Sequence, residues 1–320
     1  METEVFGAYN KNDNIRMKSS SGGVFSALAK EVILEGGVVF GAALVVKNGR
    51  VQCSHQKCTC VEELEKIAGS KYTPSVLLDT FTEVRDLLKK GKQVLFCGTP
   101  CQVAGLKSFV GSNTRLITVD FICHGVPTPK LLDKYIKETY SGAPICNLNF
   151  RDKKTGWETY SLSLKYVDGT EYSSIAMESE YMRLYVSDLY LRPACYECAF
   201  KGIQRISDIT LGDFWAIDYY EKIESTEKKK GISVLLVHSD IGKQLLERAS
   251  KQLTLFKSSL RIFEQSNIYI WKKAERPIDY IFYKRKLDDW SCKKIIKIYS
   301  GTNLVRKYLM KVLRKIKGLL

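Results

Sequence analysis

Three groups of cysteine carry the chemistry that this chain advertises: Cys97 and Cys101 in Phe96-Cys97-Gly98-Thr99-Pro100-Cys101-Gln102, Cys123 in Cys123-His124-Gly125, and the pair in Cys195-Tyr196-Glu197-Cys198. Thiolate is the soft ligand that iron–sulfur clusters and structural zinc select, and a Cys-x-x-Cys pair offers two sulfurs to one centre from a single turn. Cys101 and Cys195 are more than ninety residues apart, so a four-thiolate site has to be assembled by the fold. Cys101 and Cys123 are the best placed to complete it. Cys53, Cys58, Cys60, Cys146 and Cys292 read as ordinary thiols.

Composition narrows the setting. The 320 residues are 45% hydrophobic, enough for one large core or two modest ones. Met1-Glu2-Thr3-Glu4 is acidic and no apolar stretch follows it, and no run of about 18 apolar residues occurs, so a cytoplasmic protein is expected. In a reducing compartment ten cysteines are better read as ligands and thiols than as a disulfide framework. The net charge of +15 is uneven: residues 284–320 hold twelve Lys/Arg against Asp288 and Asp289, which is +10 and leaves +5 for the rest. That distribution argues against nucleic-acid binding by the body of the chain and makes the tail the basic surface.

The elements that must position the cysteines are legible in outline. Ser20-Ser21-Gly22-Gly23 leads into a helical apolar spacing at Val24, Leu28 and Val32, and such a helix start offers free N–H groups to a phosphate or is simply a cap. Two apolar runs flank Asn48-Gly49, a hairpin signal. A short helix at 61–67 and the polar loop Gly69-Ser70-Lys71-Tyr72 follow, then a helix expected from Pro74 to Leu88. Val94-Leu95-Phe96 and Leu116 to Ile122 read as buried strands, each ending at a candidate ligand and each followed by a helix, opened by Thr99-Pro100 and by Pro129. Parallel strands would bring Cys101 and Cys123 together at one sheet edge. Antiparallel alternation covers 147–172, a helix covers 178–189, and further strands are expected at 208–215 and 232–238. The Lys228-Lys229-Lys230 run reads as a solvated loop. The fold class is therefore α/β, mixed α+β: an N-terminal α/β region with a mixed sheet over 1–90, a C-terminal α/β core with an antiparallel insertion over 91–260, and a basic helical tail over 261–320.

The chain resembles the β subunits of coenzyme F(420) hydrogenases and dehydrogenases, a family that also takes in plant 7-hydroxymethyl chlorophyll a reductase. The resemblance rests on seven pieces in one order: Ser20 to Phe25, Gly69 to Tyr72, Gly98 to Gln102, Cys123 to Pro127, Phe150-Arg151-Asp152-Lys153, Cys195 to Cys198, and Ser207 to Trp215. It implies an oxidoreductase that passes electrons between FAD and a partner or substrate through a [4Fe–4S] cluster. It implies Cys101, Cys123, Cys195 and Cys198 as the ligands, with Cys97 near enough to replace Cys101. It also implies Ser21, Gly22, Gly23, Lys71, Tyr72, Gly98 and Thr99 around the flavin. His124 is then either a hydrogen-bonded neighbour of the cluster or a proton donor, and Asp213 a loop cap or a contact to the site. The repeated Cys-x-x-Cys runs of a two-cluster ferredoxin module are absent from this sequence, so a ferredoxin or another redox subunit is expected as electron partner.

Two other readings keep a place. Four thiolates also make a closed zinc site, which would make this a zinc-stabilised binding protein. The basic tail, together with relatives encoded among polysaccharide genes, suggests a membrane-associated enzyme of surface polysaccharide biosynthesis. Leu304, Val305, Tyr308, Leu309, Val312, Leu313 and Ile316 fall on one stripe with Lys and Arg around them, so peripheral contact with the inner face of a membrane is expected of that helix, or docking on protein.

Overall fold

The computed structural model describes residues 2–300 apart from 48, 216 and 218–222. Nine strands form one sheet: β1 (Glu4–Asn10), β2 (Val38–Lys47), β3 (Arg50–Cys58), β4 (Ser75–Val76), β5 (Val94–Cys97), β6 (Leu116–Phe121), β10 (Ile209–Asp213), β11 (Ser233–Val237) and β12 (Leu253–Ser258), in the order β12-β1-β11-β10-β6-β5-β2-β3-β4. The antiparallel insertion is a separate three-stranded sheet of β7 (Ile145–Asp152), β8 (Ser161–Tyr166) and β9 (Glu171–Ile175). Regions 1–90 and 91–260 both contribute strands to the large sheet.

Its centre is parallel. β2, β5, β6 and β10 run the same way in register, with Cys97 opposite Val119 and Phe121 opposite Leu211, so the ends of β5 and β6 meet at one edge. Period-two alternation divides their side chains. Val39, Leu95, Ile117 and Val119 pack under the helices Val24–Leu34 and Asp240–Ala249, while Phe40, Val94, Phe96 and Leu116 face Val84, Leu88, Val103 and Leu106 on the other side. Each fully buried Val, Leu or Phe contributes about 1.5–3 kcal/mol. A third cluster joins the small sheet to the helices Pro129–Thr139, Glu180–Val186 and Tyr280–Asp289.

The Asn48-Gly49 signal marks a β2–β3 hairpin closing at Lys47 opposite Arg50. The helix expected from Pro74 begins only at Thr80, because Ser75 and Val76 pair with Cys53 and Ser54 instead. Lys228 to Lys230 are helical, within Ser225–Lys230, where Lys228 meets Glu158 at 3.0 Å and Lys230 meets Asp13 at 2.7 Å. β1 and β12 were not anticipated; β1 pairs with both β11 and β12. Among the described residues no helix is long and apolar enough to cross a membrane. The apolar and basic stripe from Leu304 to Lys317 lies outside the described residues.

Gly22 shows why the Ser/Gly motif has its composition. Its carbonyl accepts from Asn10 N–H at 2.7 Å, its N–H donates to Ser233 Oγ at 2.9 Å, and a Cβ there would sit 2.4 Å from Ala8 O and 2.8 Å from Ser233 N. Gly22→Ala is expected to cost about 3 kcal/mol, since neither backbone neighbour can yield. Gly36→Ala, at φ +75° with open space around it, should cost only about 1 kcal/mol. Urea midpoints of the two variants check the ranking.

Candidate functional site

Cys101 lies in the first turn of the helix Pro100–Val110 and Cys123 just beyond β6, as the parallel edge requires. Cys195 sits in the short helix Pro193–Tyr196, and Cys198 follows it. The four thiols share one neighbourhood. Burial pushes the Cys123 thiol up to about 12; Lys201 opposes the shift, and Cys101, Cys195 and Cys198 add to it. Cys195 is raised by burial first, and again by the fields of Cys101 and Cys198. Backbone donors already point at two sulfurs: Val126 N–H to Cys195 Sγ and Phe200 N–H to Cys198 Sγ, both at 3.4 Å. Cys101 is the exposed member of the four.

Sulfurs gathered this way repel one another once ionised, and burial opposes ionisation of Cys123 and Cys195. A multivalent cation removes both objections, because a coordinating thiol gives up its proton outright. A mononuclear zinc site, at about 2.3 Å per Zn–S bond, would hold its sulfurs within roughly 4 Å of each other. Among the described residues no group of three or more His, Cys, Asp or Glu gathers closely enough to hold a metal ion. Four thiolates are the donor set of a [4Fe–4S] cluster and of a structural zinc alike. Cys97 faces elsewhere: its thiol, pushed up to about 12 by burial, feels Lys71 and Asp120.

Three residues that sequence reasoning passed over frame the thiols. Lys201 Nζ donates to Cys123 O at 2.6 Å and Tyr269 O at 2.9 Å, and its ammonium lies in the fields of Cys123, Cys198 and Cys195. Asp188 adopts φ 62°, a left-handed conformation unusual outside glycine, and brings Oδ1 to 2.7 Å from His124 Nε2 without hydrogen-bond alignment. Tyr185 donates to Gly125 O at 3.1 Å and turns its ring toward both His124 and Tyr72, at 5.1 and 5.2 Å. His124 therefore sits between Tyr185 and Tyr269, with Nδ1 buried and unpartnered.

The residues expected around a flavin divide into two sets. Ser21 Oγ donates to Ile232 O, the Gly22 amide to Ser233, and the Gly98 amide to Val119 O, so these three are engaged by the fold. Gly23, at φ 80°, caps the helix Val24–Leu34, whose first-turn amides receive no side-chain cap. Ser20 and Ser70 hydroxyls meet at 2.7 Å, which joins the Ser/Gly helix start to the Lys71-Tyr72 loop. Lys71 donates to Gly69 O at 3.0 Å, and burial holds its ammonium down to about 8. Lys71, Tyr72, Thr99, Cys123 and His124 all keep part of their surface open, and protein nonetheless surrounds Lys71 and Cys123 on nearly every side. A cavity of about 500 Å³, lined by Tyr135, Glu138, Glu180 and Cys292 among others, includes none of them.

Residues 5–81 match the N-terminal region, and residues 91–260 the C-terminal region, of the coenzyme F420 hydrogenase/dehydrogenase β subunit. The chain belongs to this family. It is 28% identical over 190 residues to 7-hydroxymethyl chlorophyll a reductase, chloroplastic, of Oryza sativa subsp. japonica, a match that covers 58% of this chain and 36% of the relative. The chain thus spans little more than a third of that relative's length. Its fold is similar to that of a chain in the F420-reducing [NiFe] hydrogenase complex from Methanosarcina barkeri, with TM-score 0.53 and 16% identity, covering 96% of this chain and 92% of that one. The seven motifs of this β-subunit family member fall on the edge where β5 and β6 end, on the loops that meet it, and on the junction between the two sheets.

His55 gives this edge a measurable pH signature. It is 6% exposed, stacked on Phe96, 3.0 Å from Cys97 O through Nε2 and 2.7 Å from Ser75 Oγ through Nδ1, and burial lowers its pKa to about 4. Between pH 6.5 and 4 the unfolded chain takes up a proton that the folded chain refuses, so this contribution to stability is intact above 6.5 and falls as the pH drops. His55→Asn should flatten the wild-type slope over that window by up to about 1.4 kcal/mol per pH unit. Urea unfolding at pH 7 and pH 5 measures it, and equal slopes in the two proteins would refute the assignment.

Proposed function

We propose that this protein is an iron–sulfur flavoprotein oxidoreductase in which Cys101, Cys123, Cys195 and Cys198 hold one [4Fe–4S] cluster and FAD binds beside it, near Lys71, Tyr72 and Thr99. The observation that carries the reading is the mutual field of four thiols drawn from three distant segments, two of them already receiving backbone N–H donors. When bound, the cluster supplies single-electron transfer and the flavin supplies one- or two-electron exchange. Lys201 offsets the negative charge of the ligated thiolates and favours the reduced state. Tyr185 and His124 fill the space between Tyr72 and Cys123 and keep water from it. The uncapped helix start after Gly23, with Lys71 beside it, supports a phosphate there, and Tyr72 and Thr99 border the ring. His124, with Asp188 Oδ1 2.7 Å from its Nε2, would be the group to hold or release a proton beside the cluster.

Exposed Cys101 makes the start of the helix Pro100–Val110 the side from which electrons reach a partner, a ferredoxin or another redox subunit. The relative in a multi-subunit hydrogenase complex supports a partner of that kind. Anaerobic purification followed by an absorbance spectrum, iron and sulfide assay and flavin extraction tests the whole reading: a brown-yellow protein with about four irons per chain and bound FAD is expected. Cys195→Ser should lose most of the iron, whereas Cys146→Ser, at an exposed thiol on β7, should keep it. Full iron in the Cys195 variant would sink the ligand assignment, and a colourless wild type would sink the cofactors.

A further inference from the structure

Arg151, at the end of β7, is buried with an unused hydrogen-bonding edge. Its side chain is 4% exposed, Nη1 donates to Asp213 Oδ2 at 2.6 Å, and Nε and Nη2 are sealed from solvent with no hydrogen-bond partner. Those two nitrogens form the side-on fork of the guanidinium, two parallel N–H donors whose spacing matches the two oxygens of a carboxylate or phosphate. A buried cation that forgoes two donors loses their hydration without replacement, which is rare enough to call for a physical reason.

The surroundings hold the fork in place. The guanidinium lies 4.3 Å over the Tyr160 ring and 5.5 Å from that of Trp215, and Trp215 stacks on Trp157 at 4.6 Å. Asp213, which anchors Nη1, is fixed by Trp157 Nε1 at 3.0 Å on its other oxygen and by Asn267 Nδ2 at 2.9 Å on its carbonyl. Nothing in that arrangement requires Nε and Nη2 to be idle; they are left over after the arginine has been secured. Charge points the same way. Arg16, Arg151 and Lys153 are all buried; Asp213 pairs with Arg151, Glu227 pairs with both Arg16 and Lys230, and among the described residues no carboxylate forms an ion pair with Lys153. Lys153 feels these neighbours: its pKa falls to about 7, through burial first and then the field of Arg151, with Asp213 opposing the shift and Arg16 adding to it.

We propose that the Nε–Nη2 edge of Arg151 is an oxyanion subsite, which takes a carboxylate or phosphate carried either by the substrate or by the cofactor. Tyr160 and Trp215, both only partly buried, are the walls such a group displaces on entry. Tyr72 lies beside the Tyr160 phenol, so the subsite adjoins the Lys71-Tyr72 loop. The inference stands on the guanidinium and its charge balance, apart from the flavin reading.

The test uses the full chain purified anaerobically, as wild type, Arg151→Gln and Arg151→Lys. Each is assayed for bound FAD and iron, then for the shift in melting temperature produced by sodium acetate or inorganic phosphate against chloride at equal ionic strength. If the oxyanion belongs to the substrate, one of these anions raises the wild-type Tm by mass action, the Gln variant keeps its FAD and loses the shift, and the Lys variant needs about tenfold more anion because a point charge replaces the fork. If it belongs to the cofactor, the Gln variant loses most of its FAD and keeps its iron. Equal FAD and equal anion response in wild type and both variants overturns the proposal, as does a wild type that responds to neither anion while the Gln variant retains FAD. Should the Gln variant fail to fold by circular dichroism, the Lys variant alone decides on the same criteria. A wild type without flavin but with an Arg151-dependent anion shift would remove the flavin reading and leave the subsite standing.

Discussion

One buried ammonium ties the two sheets of this protein together. Lys153 Nζ donates to Arg16 O at 2.8 Å, Ser21 O at 2.5 Å and Lys230 O at 2.7 Å, three carbonyls from two stretches of chain more than 200 residues apart. Without these carbonyls the ammonium would be a bare buried charge. The same contact joins the end of β7, in the small sheet, to the Ser/Gly motif that enters the helix Val24–Leu34. What is proposed for the Ser/Gly motif depends on that junction, which the Ser21 hydroxyl and the Gly22 amide reinforce by donating to Ile232 O and Ser233 Oγ.

This dependence explains which parts of the molecule could be read from residue types and which could not. Turn and cap chemistry is local, so Asn48-Gly49 and Thr99-Pro100 marked a hairpin and a helix start correctly. Buried parallel strands are apolar throughout, so β5, β6 and β11 were visible as runs. β1 was not, because Gly7 and Ala8 in its middle are poor strand formers. They are small because the Phe256 ring occupies the place where a side chain on Gly7 would go. Its strand character comes from β11 and β12 on either side, which no local pattern announces. The Lys228 to Lys230 run misled for a related reason: lysine is solvated by default, and only the fold reveals that the Lys230 carbonyl receives a buried ammonium.

The site shows the same division. Cysteine spacing, sharpened by family motifs, led to the four thiols that the fold gathers, since ligand type is a property of single residues. Lys201, Asp188 and Tyr185 had no comparable signal; a lysine beside thiolates, an aspartate in left-handed geometry and a tyrosine between two rings become distinctive only through what surrounds them. Arg151 and Lys153 lay inside a motif that was noticed, yet their roles differ completely. One nitrogen set is fully used, and the other is half idle.

The position of β1 has a kinetic meaning. Its partners, β11 and β12, lie more than 220 residues further along the chain, with Glu4 opposite Val237 and Val5 opposite Ser258. During synthesis the strand at residues 4–10 must therefore wait for its first partner until residue 237 has left the ribosome and for its second until residue 258 has, and contacts of such long sequence separation slow the search for the native topology. Until then the Cys195-Tyr196-Glu197-Cys198 loop has no completed sheet to hold it opposite Cys101 and Cys123. Loading of any group that needs all four thiols is accordingly a late event, timed by the closing of a sheet whose earliest strand is also among its last to pair.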